Sequence, residues 1–195
     1  MSHAQDNDEL VAVQTEGYNP GEKKGISELQ SLDANDESLN KWKASLGLNQ
    51  VQAPFPNDPR TVIVQALVFE SGERTIVMDV STPEKVALLK NNPIVIKEGV
   101  EYSFRIEFYI QHDVVSGLKL LQHFKRRGII LERTQEMCGS FGPKLEKQQC
   151  RFPTATAPSG WLACGTYTIK SKFVDDDNNV HLEWVWSMEI KKEWD

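Results

Sequence analysis

The sequence predicts an all-β fold in which two antiparallel sheets pack as a sandwich behind a polar N-terminal arm. Three observations support this prediction. Apolar and polar residues alternate along several segments after residue 60, turn residues separate these segments, and residues 1–56 lack such alternation. A closed barrel built from the same strands is the alternative architecture.

The clearest strand patterns lie in two segments, 101–110 and 181–190. In each, apolar side chains fall on one face and polar side chains on the other, as expected for half-buried strands. Further strands are predicted at 61–70, 75–80, 114–125, 135–140, 148–152 and 166–174. Residues 81–91 instead suggest one helical turn.

Residues 1–56 are predicted to form a flexible arm, and residues 57–195 the sandwich. The arm is polar and acidic, so it cannot bury enough apolar area to offset its backbone entropy. It carries two short helical patterns over about 26–47, whose apolar positions are Ile26, Leu29 and Leu32, then Leu39, Trp42 and Leu46. Asp33, Asn35 and Asp36 offer N-cap oxygens for the second helix. Such short helices need a surface to fold on, either the rest of the chain or a partner.

Composition excludes several classes of protein. The chain has 195 residues and a formal net charge of −6, which argues against non-specific binding to nucleic acid or anionic lipid. It has no apolar run of membrane-spanning length, and its N-terminus lacks the pattern of a secretory signal. The three cysteines, Cys138, Cys150 and Cys164, are an odd number without metal-site spacing, so free thiols in a reducing cytoplasm are expected.

Catalytic, cofactor and metal motifs are missing from the sequence. There is no P-loop, no dinucleotide-binding glycine pattern and no H-E-x-x-H motif, so an enzyme is not expected. The run Asp175–Asn179 lacks the glycine and the bidentate glutamate of a calcium loop, which favours a hairpin tip with solvated side chains. Trp184 and Trp186 either fill the core or line a gap that holds an apolar ligand, and periodicity does not separate these alternatives.

The sequence also resembles a known family, the Rho GDP-dissociation inhibitors. In the arm the resemblance lies in Tyr18-x-Pro20 and in 28–43. In the body it lies in 97–102, 115–119 with Gln122-His123, 139–143, 165–173, 175–177, 181–186 and 190–194. It therefore runs in one order from Tyr18 to the C-terminus, far beyond a single motif.

The resemblance implies an immunoglobulin-like sandwich whose inter-sheet cavity receives the geranylgeranyl group of a GDP-bound, prenylated Rho- or Rac-type GTPase. Such a protein slows GDP release and extracts the GTPase from membranes, touching the membrane only transiently. It implies that the arm binds the GTPase switch regions through Tyr18, Asp36, Glu37, Leu39 and Trp42. It implies a prenyl pocket lined by Val68, Ile94, Val114, Trp184 and Trp186. It also implies an acidic patch for the basic GTPase tail, formed by Glu132, Asp175, Asp176 and Asp177.

One departure from the family pattern concerns the acidic patch. An acidic pair common before the Ala157-Pro158 turn is Ala155-Thr156 here.

Three other classes of protein stay open as alternatives. They are a sandwich chaperone for another prenylated or acylated cargo that does not sense nucleotide, an adhesion or scaffold module, and, last, a hydrolase.

Overall fold

Two β-sheets make up most of the described chain. The computed structural model describes residues 9–12, 28, 35–45 and 53–194, without the side chains of residues 42–45. Its helices are α1 (Glu37–Ser45) and α2 (Pro83–Leu89). Its strands are β1 (Val62–Ser71), β2 (Thr75–Asp79), β3 (Ile94–Lys97), β4 (Glu101–Ile110), β5 (Val115–Arg126), β6 (Ile129–Phe141), β7 (Gln148–Arg151), β8 (Ala155–Thr156), β9 (Gly165–Val174) and β10 (Val180–Lys191).

The strands divide into two five-stranded sheets. In the first sheet the order is β2-β1-β4-β7, with β8 also pairing with β4, and in the second it is β3-β10-β9-β5-β6. The predicted sandwich is therefore confirmed, and the closed barrel is not. One pair departs from the predicted antiparallel pattern, because β3 runs parallel to β10.

The core lies between the sheets and is built from the inward residues of alternating strands. On β4 these residues are Phe104, Ile106, Phe108 and Ile110, and on β10 they include Trp184 and Trp186. Strands β6 and β7 are edge strands of different sheets on the same side of the sandwich. The candidate site lies between these two edges.

Several elements differ from the strand predictions. Strands β3 and β8 were not predicted, because four and two residues are too few to show an alternating pattern. Strand β6 begins at Ile129 instead of 135, and most of its added residues are exposed or half-buried. An edge strand of this kind has little apolar contrast between its faces, so periodicity misses it. Helix α2 has seven residues, more than the single turn expected.

The second predicted helix of the arm is confirmed as α1. Asp36 caps it: Oδ1 accepts hydrogen bonds from the backbone N–H groups of Ser38 at 2.8 Å and Leu39 at 3.0 Å. The apolar residues of the first pattern, Ile26, Leu29 and Leu32, lie outside the described residues, as do Leu46 and the side chain of Trp42. Glu28 is helical.

Part of the arm packs on the sandwich, which its polar composition did not predict. Leu10 is 3% exposed and lies against Leu121 and Val174 on the outer face of the second sheet. Lys172 Nζ donates a hydrogen bond to the Leu10 carbonyl oxygen at 3.2 Å. This contact attaches residues 9–12 to strands β5 and β9.

The prediction that all three cysteines are free thiols is wrong for two of them. Cys138 of β6 and Cys150 of β7 are joined by a disulfide, with their Cα atoms 5.5 Å apart. The odd number of cysteines argued against disulfides, and the spacing of Cys138 and Cys150 matches no recognised motif. The two cysteines meet because the fold brings their edge strands together. Cys164 keeps its thiol.

Candidate functional site

A cavity of about 440 Å³ opens between the two sheets on the side of β6 and β7. Its size falls within the range of about 300–1,000 Å³ typical of small-molecule sites. Its lining comes from both sheets and from the segment after β7. The lining residues are Tyr102, Phe104, Gln122, Phe124, Leu131, Glu132, Thr134, Glu136, Phe152, Pro153, Ala155, Thr156, Pro158, Tyr167 and Met188.

The inner part of the cavity is aromatic and apolar. Phe104 packs edge-on against Trp186, with ring centroids 5.6 Å apart, and against Tyr102 at 5.4 Å. Burial raises the pKa of the Tyr102 hydroxyl, and the Glu132 carboxylate adds to this shift. Both effects favour the neutral phenol, so this hydroxyl adds no charge to the cavity.

The polar residues of the cavity come mainly from the edge strand β6. Glu132, Thr134 and Glu136 alternate along this strand and face inward, so one wall carries carboxylates and a hydroxyl. The opposite wall, after β7, contributes Phe152 and Pro153. The cavity thus combines an apolar interior with an acidic margin.

A buried hydrogen-bond network lies behind the cavity. Ser171 Oγ accepts hydrogen bonds from Trp186 Nε1 at 2.9 Å and from Gln122 Nε2 at 3.0 Å. All three side chains are buried, and Gln122 also borders the cavity. The network fixes the orientation of the Trp186 ring, on which Phe104 rests.

None of the five residues predicted for the prenyl pocket lines this cavity. Ile94, Trp184 and Trp186 belong to the core between the sheets, and Trp186 lies one layer behind the cavity wall. Val68 is buried, but it alternates with the core residues of β1 and so faces the outer side of its sheet. Val114 lines a separate, polar cavity of about 340 Å³ that Asp175 and His181 also border.

The four residues predicted for the acidic patch do not lie together. Glu132 pairs with Phe124, whereas the Asp175–Asp177 turn follows Val174, which pairs with Lys119. Lys119 and Phe124 are five residue steps apart along β5, which separates the two groups by roughly 17 Å. Glu132 is therefore part of the cavity margin, and the aspartates form a second site at the far end of the sheet.

The aspartates of the β9–β10 turn have different environments. Asp175 is buried, contrary to the predicted solvated tip, and accepts hydrogen bonds from Asn179, while His181 Nε2 lies 2.9 Å from its Oδ2. Burial opposes ionisation of Asp175, but the bonds from His181 and Asn179 outweigh it and lower its pKa. Asp176 accepts a hydrogen bond from the buried Lys119 Nζ at 2.8 Å. Asp177 is exposed.

The predicted switch-binding residues lie in or near α1, apart from Tyr18. Asp36 and Glu37 are exposed at the start of the helix, and Leu39 is half-buried. Tyr18 and the Trp42 side chain lie outside the described residues. The binding role of all five stays a prediction.

Sequence reasoning missed the residues that form the cavity wall. The available signal was polar residues at inward positions, namely Gln122 on β5 and Thr134 and Glu136 on β6. An inward polar residue costs stability unless it is bonded or borders a cavity. That signal depends on knowing which face of each strand points inward, and β6 was predicted too short to show it.

Comparison with known proteins decides the family. A family model described as "RHO protein GDP dissociation inhibitor" matches residues 2–193. The human protein named Rho GDP-dissociation inhibitor 1 is 42% identical over 178 residues, which cover 91% of this chain and 86% of that protein. The chain belongs to the Rho GDP-dissociation inhibitor family.

Fungal relatives extend the match. The Rho GDP-dissociation inhibitor of Schizosaccharomyces pombe is 39% identical over 175 residues, covering 89% of this chain and 85% of that protein. That of Saccharomyces cerevisiae is 37% identical over 182 residues, covering 90% of each chain. In this Rho GDP-dissociation inhibitor family member, no described helix is long and apolar enough to cross a bilayer.

Proposed function

We propose that this chain binds geranylgeranylated Rho-family GTPases in their GDP-bound form, slows GDP release and withdraws them from membranes. The observation that carries this proposal is the apolar cavity between β4, β5 and β6, in a chain of this family. The same chain acts as a binding protein and not as an enzyme, and its place of action is the cytoplasm.

The cavity explains how a lipid group can be held away from water. A chain of about 20 carbons gains roughly 0.8 kcal/mol for each CH₂ group buried, so its burial is worth on the order of 10 kcal/mol. Phe104, Phe124, Phe152 and Met188 supply apolar surface from both sheets. Leu131, which is 58% exposed, stands at the margin where such a chain would enter.

The acidic margin supports recognition of a basic protein segment. Glu132 and Glu136 lie on the β6 wall of the cavity, and basic residues near a bound lipid would be attracted to these carboxylates. The exposed Asp177 forms a second acidic site at the far end of the sheet. These two acidic sites would let the sandwich contact basic protein segments of the GTPase in addition to its lipid.

The arm supplies the control of nucleotide release. Helix α1 has nine residues, too few to be stable alone, so its folding and the binding of a switch region reinforce each other. Asp36 and Glu37 stand exposed at its N-terminal end. The sandwich therefore holds the lipid and the arm holds the GTPase domain.

A cavity-filling variant tests the assignment of the cavity. Thr134→Trp places an indole in the cavity from the β6 wall, whereas Met137→Trp places the same group on the outer face of β6, where Met137 is 53% exposed. We expect Thr134→Trp to reduce extraction of a geranylgeranylated GTPase from liposomes about tenfold or more, since a filled site excludes the ligand. Met137→Trp should extract as well as the unmodified chain.

Extraction tests the assignment of the cavity, and nucleotide dependence separates the proposal from the alternative cargo class. Equal extraction by both tryptophan variants would contradict the assignment of this cavity. Equal affinity for GDP- and GTP-loaded GTPase, with no slowing of GDP release, would instead favour a lipid chaperone that does not sense nucleotide.

A further inference from the structure

The disulfide joins the two sheets across the open edge of the sandwich. Cys138 lies on β6 and Cys150 on β7, and these strands belong to different sheets. Stacked sheets are usually about 10 Å apart, whereas the Cα atoms of this pair are 5.5 Å apart. The bond therefore holds the two sheet edges close together.

The bond lies at the inner end of the cavity. Glu136, two residues before Cys138, and Phe152, two residues after Cys150, both line the cavity. Two residues of strand span about 7 Å, so the cavity begins one side-chain pair away from the disulfide. On the other side of the bond, residues 142–147 connect the same two strands.

The disulfide therefore lies between the 142–147 loop, which links β6 to β7, and the cavity. Without the bond, the edges of β6 and β7 are joined covalently through the 142–147 connection. With the bond formed, separation can begin only beyond Cys138 and Cys150. The Phe108–Phe141 ring contact, with centroids 5.0 Å apart, lies beyond the bond and outside the cavity lining, so a ligand that extends deeper than the cavity has to pass the bond.

We propose that Cys138 and Cys150 form a reversible redox site that controls how deeply the cavity accepts a lipid chain. The inference rests on the proposed function for the identity of the ligand as an isoprenoid. Disulfides in a reducing compartment are usually transient or redox-sensing and not structural. The half-buried Cys138 is the sulfur that solution thiols reach first, since Cys150 is buried.

The exchange needs an oxidant, for which a small disulfide such as oxidised glutathione suffices. The Cys138 thiolate attacks one sulfur of that disulfide, breaking its S–S bond and releasing one glutathione thiolate. The Cys150 thiolate then attacks the Cys138 sulfur, forming the protein disulfide and releasing the second thiolate. Two protein thiols thereby lose two protons and two electrons, and two glutathione thiols form. A dithiol reductant reverses the exchange.

The third cysteine provides an internal control. Cys164 Sγ lies 3.6 Å from Glu98 Oε2, to which it donates a hydrogen bond. Burial and the Glu98 carboxylate raise the pKa of this thiol, so it holds less thiolate than an ordinary cysteine. Cys164→Ser should leave the redox response of the chain unchanged.

The test measures binding of a fluorescent, geranylgeranylated C-terminal peptide to the full chain after treatment with oxidised glutathione or with dithiothreitol. Mass spectrometry confirms the state of the pair. We expect the Kd to be about tenfold higher for the oxidised chain, because a cavity that cannot expand accommodates added atoms poorly. Cys138→Ser, Cys138→Ala and Cys150→Ser should bind with the Kd of the reduced chain in both buffers.

The possible contrary results distinguish this proposal from the proposed function. Equal Kd values in the two redox states would overturn the redox control and leave lipid binding intact. A disulfide that stays formed in glutathione buffer at about −280 mV would also overturn it, since the bond would then be structural. Failure of the reduced chain to bind the peptide would overturn the proposed function and remove the ligand on which this inference rests.

Discussion

Ser171 allows the network behind the cavity to be tested by a single-atom change. Ser171→Ala removes the hydroxyl oxygen that accepts hydrogen bonds from Trp186 Nε1 and Gln122 Nε2. Each buried donor left without an acceptor costs about 1–3 kcal/mol. The full cost applies to the Trp186 N–H group, because Trp186 is completely buried. The cost is smaller for the Gln122 amide, which borders the cavity and can donate a hydrogen bond to water there. We therefore expect a loss of about 2–4 kcal/mol in the free energy of unfolding.

Urea denaturation followed by tryptophan fluorescence measures this loss as a lower midpoint at unchanged slope. Ser187→Ala is the matched control, because Ser187 is also a buried serine but its hydroxyl donates only one bond, to the Lys90 carbonyl at 2.8 Å. That variant should lose about 1 kcal/mol. If Ser171→Ala lowers the free energy of unfolding no more than Ser187→Ala does, the hydrogen-bond network behind the cavity does not stabilise the fold in the way proposed.

Three further predictions concern the arm and the surface. Asp36→Ala should reduce the inhibition of GDP release, because it removes the cap of α1. Asp36→Asn should inhibit GDP release nearly as well as the unmodified chain, because it keeps a capping oxygen. If Asp36→Asn reduces the inhibition as much as Asp36→Ala does, the carboxylate itself contacts the GTPase. Leu10→Ala should speed proteolytic cleavage near residues 9–12 while the urea midpoint of the sandwich changes by less than its error, and unchanged cleavage would contradict the packing of Leu10. Asp79 has a pKa of about 2, lowered by hydrogen bonds from Lys85 and Ser81. Because this folded value lies below the unfolded one, Asp79 stabilises the fold above about pH 4 and loses that contribution as pH falls to about 2. Asp79→Asn should therefore lower stability at pH 7 and not at pH 2, and an equal effect at both would contradict the ion pair.

Periodicity predicted the architecture because one face of most strands is buried. The patterns at 101–110 and 181–190 correspond to β4 and β10, whose inward residues form the core. Strand β6 was predicted too short because none of its residues is fully buried, so its two faces show little apolar contrast, and β3 was missed because it contributes only four residues. Local pattern carries no information about which strand lies at an edge.

The site was harder to predict because it depends on the relation between strands. Trp186 was predicted to line the prenyl pocket, but it lies in the core behind the cavity, and Phe104 and Tyr102 form the wall. The pairing of Cys138 with Cys150 likewise follows from two edges meeting across the sandwich. Spacing along the chain does not encode either relation.

Extraction of a prenylated GTPase from liposomes tests lipid capture and nucleotide control together. Geranylgeranylated, GDP-loaded Rho-family GTPase is bound to liposomes and incubated with the full, reduced chain, and the GTPase is then quantified in the supernatant after sedimentation. We expect stoichiometric transfer of the GTPase to the supernatant, together with slowed release of a fluorescent GDP from the transferred protein. GTPase that stays on the liposomes and releases GDP at its own rate would overturn the proposed function.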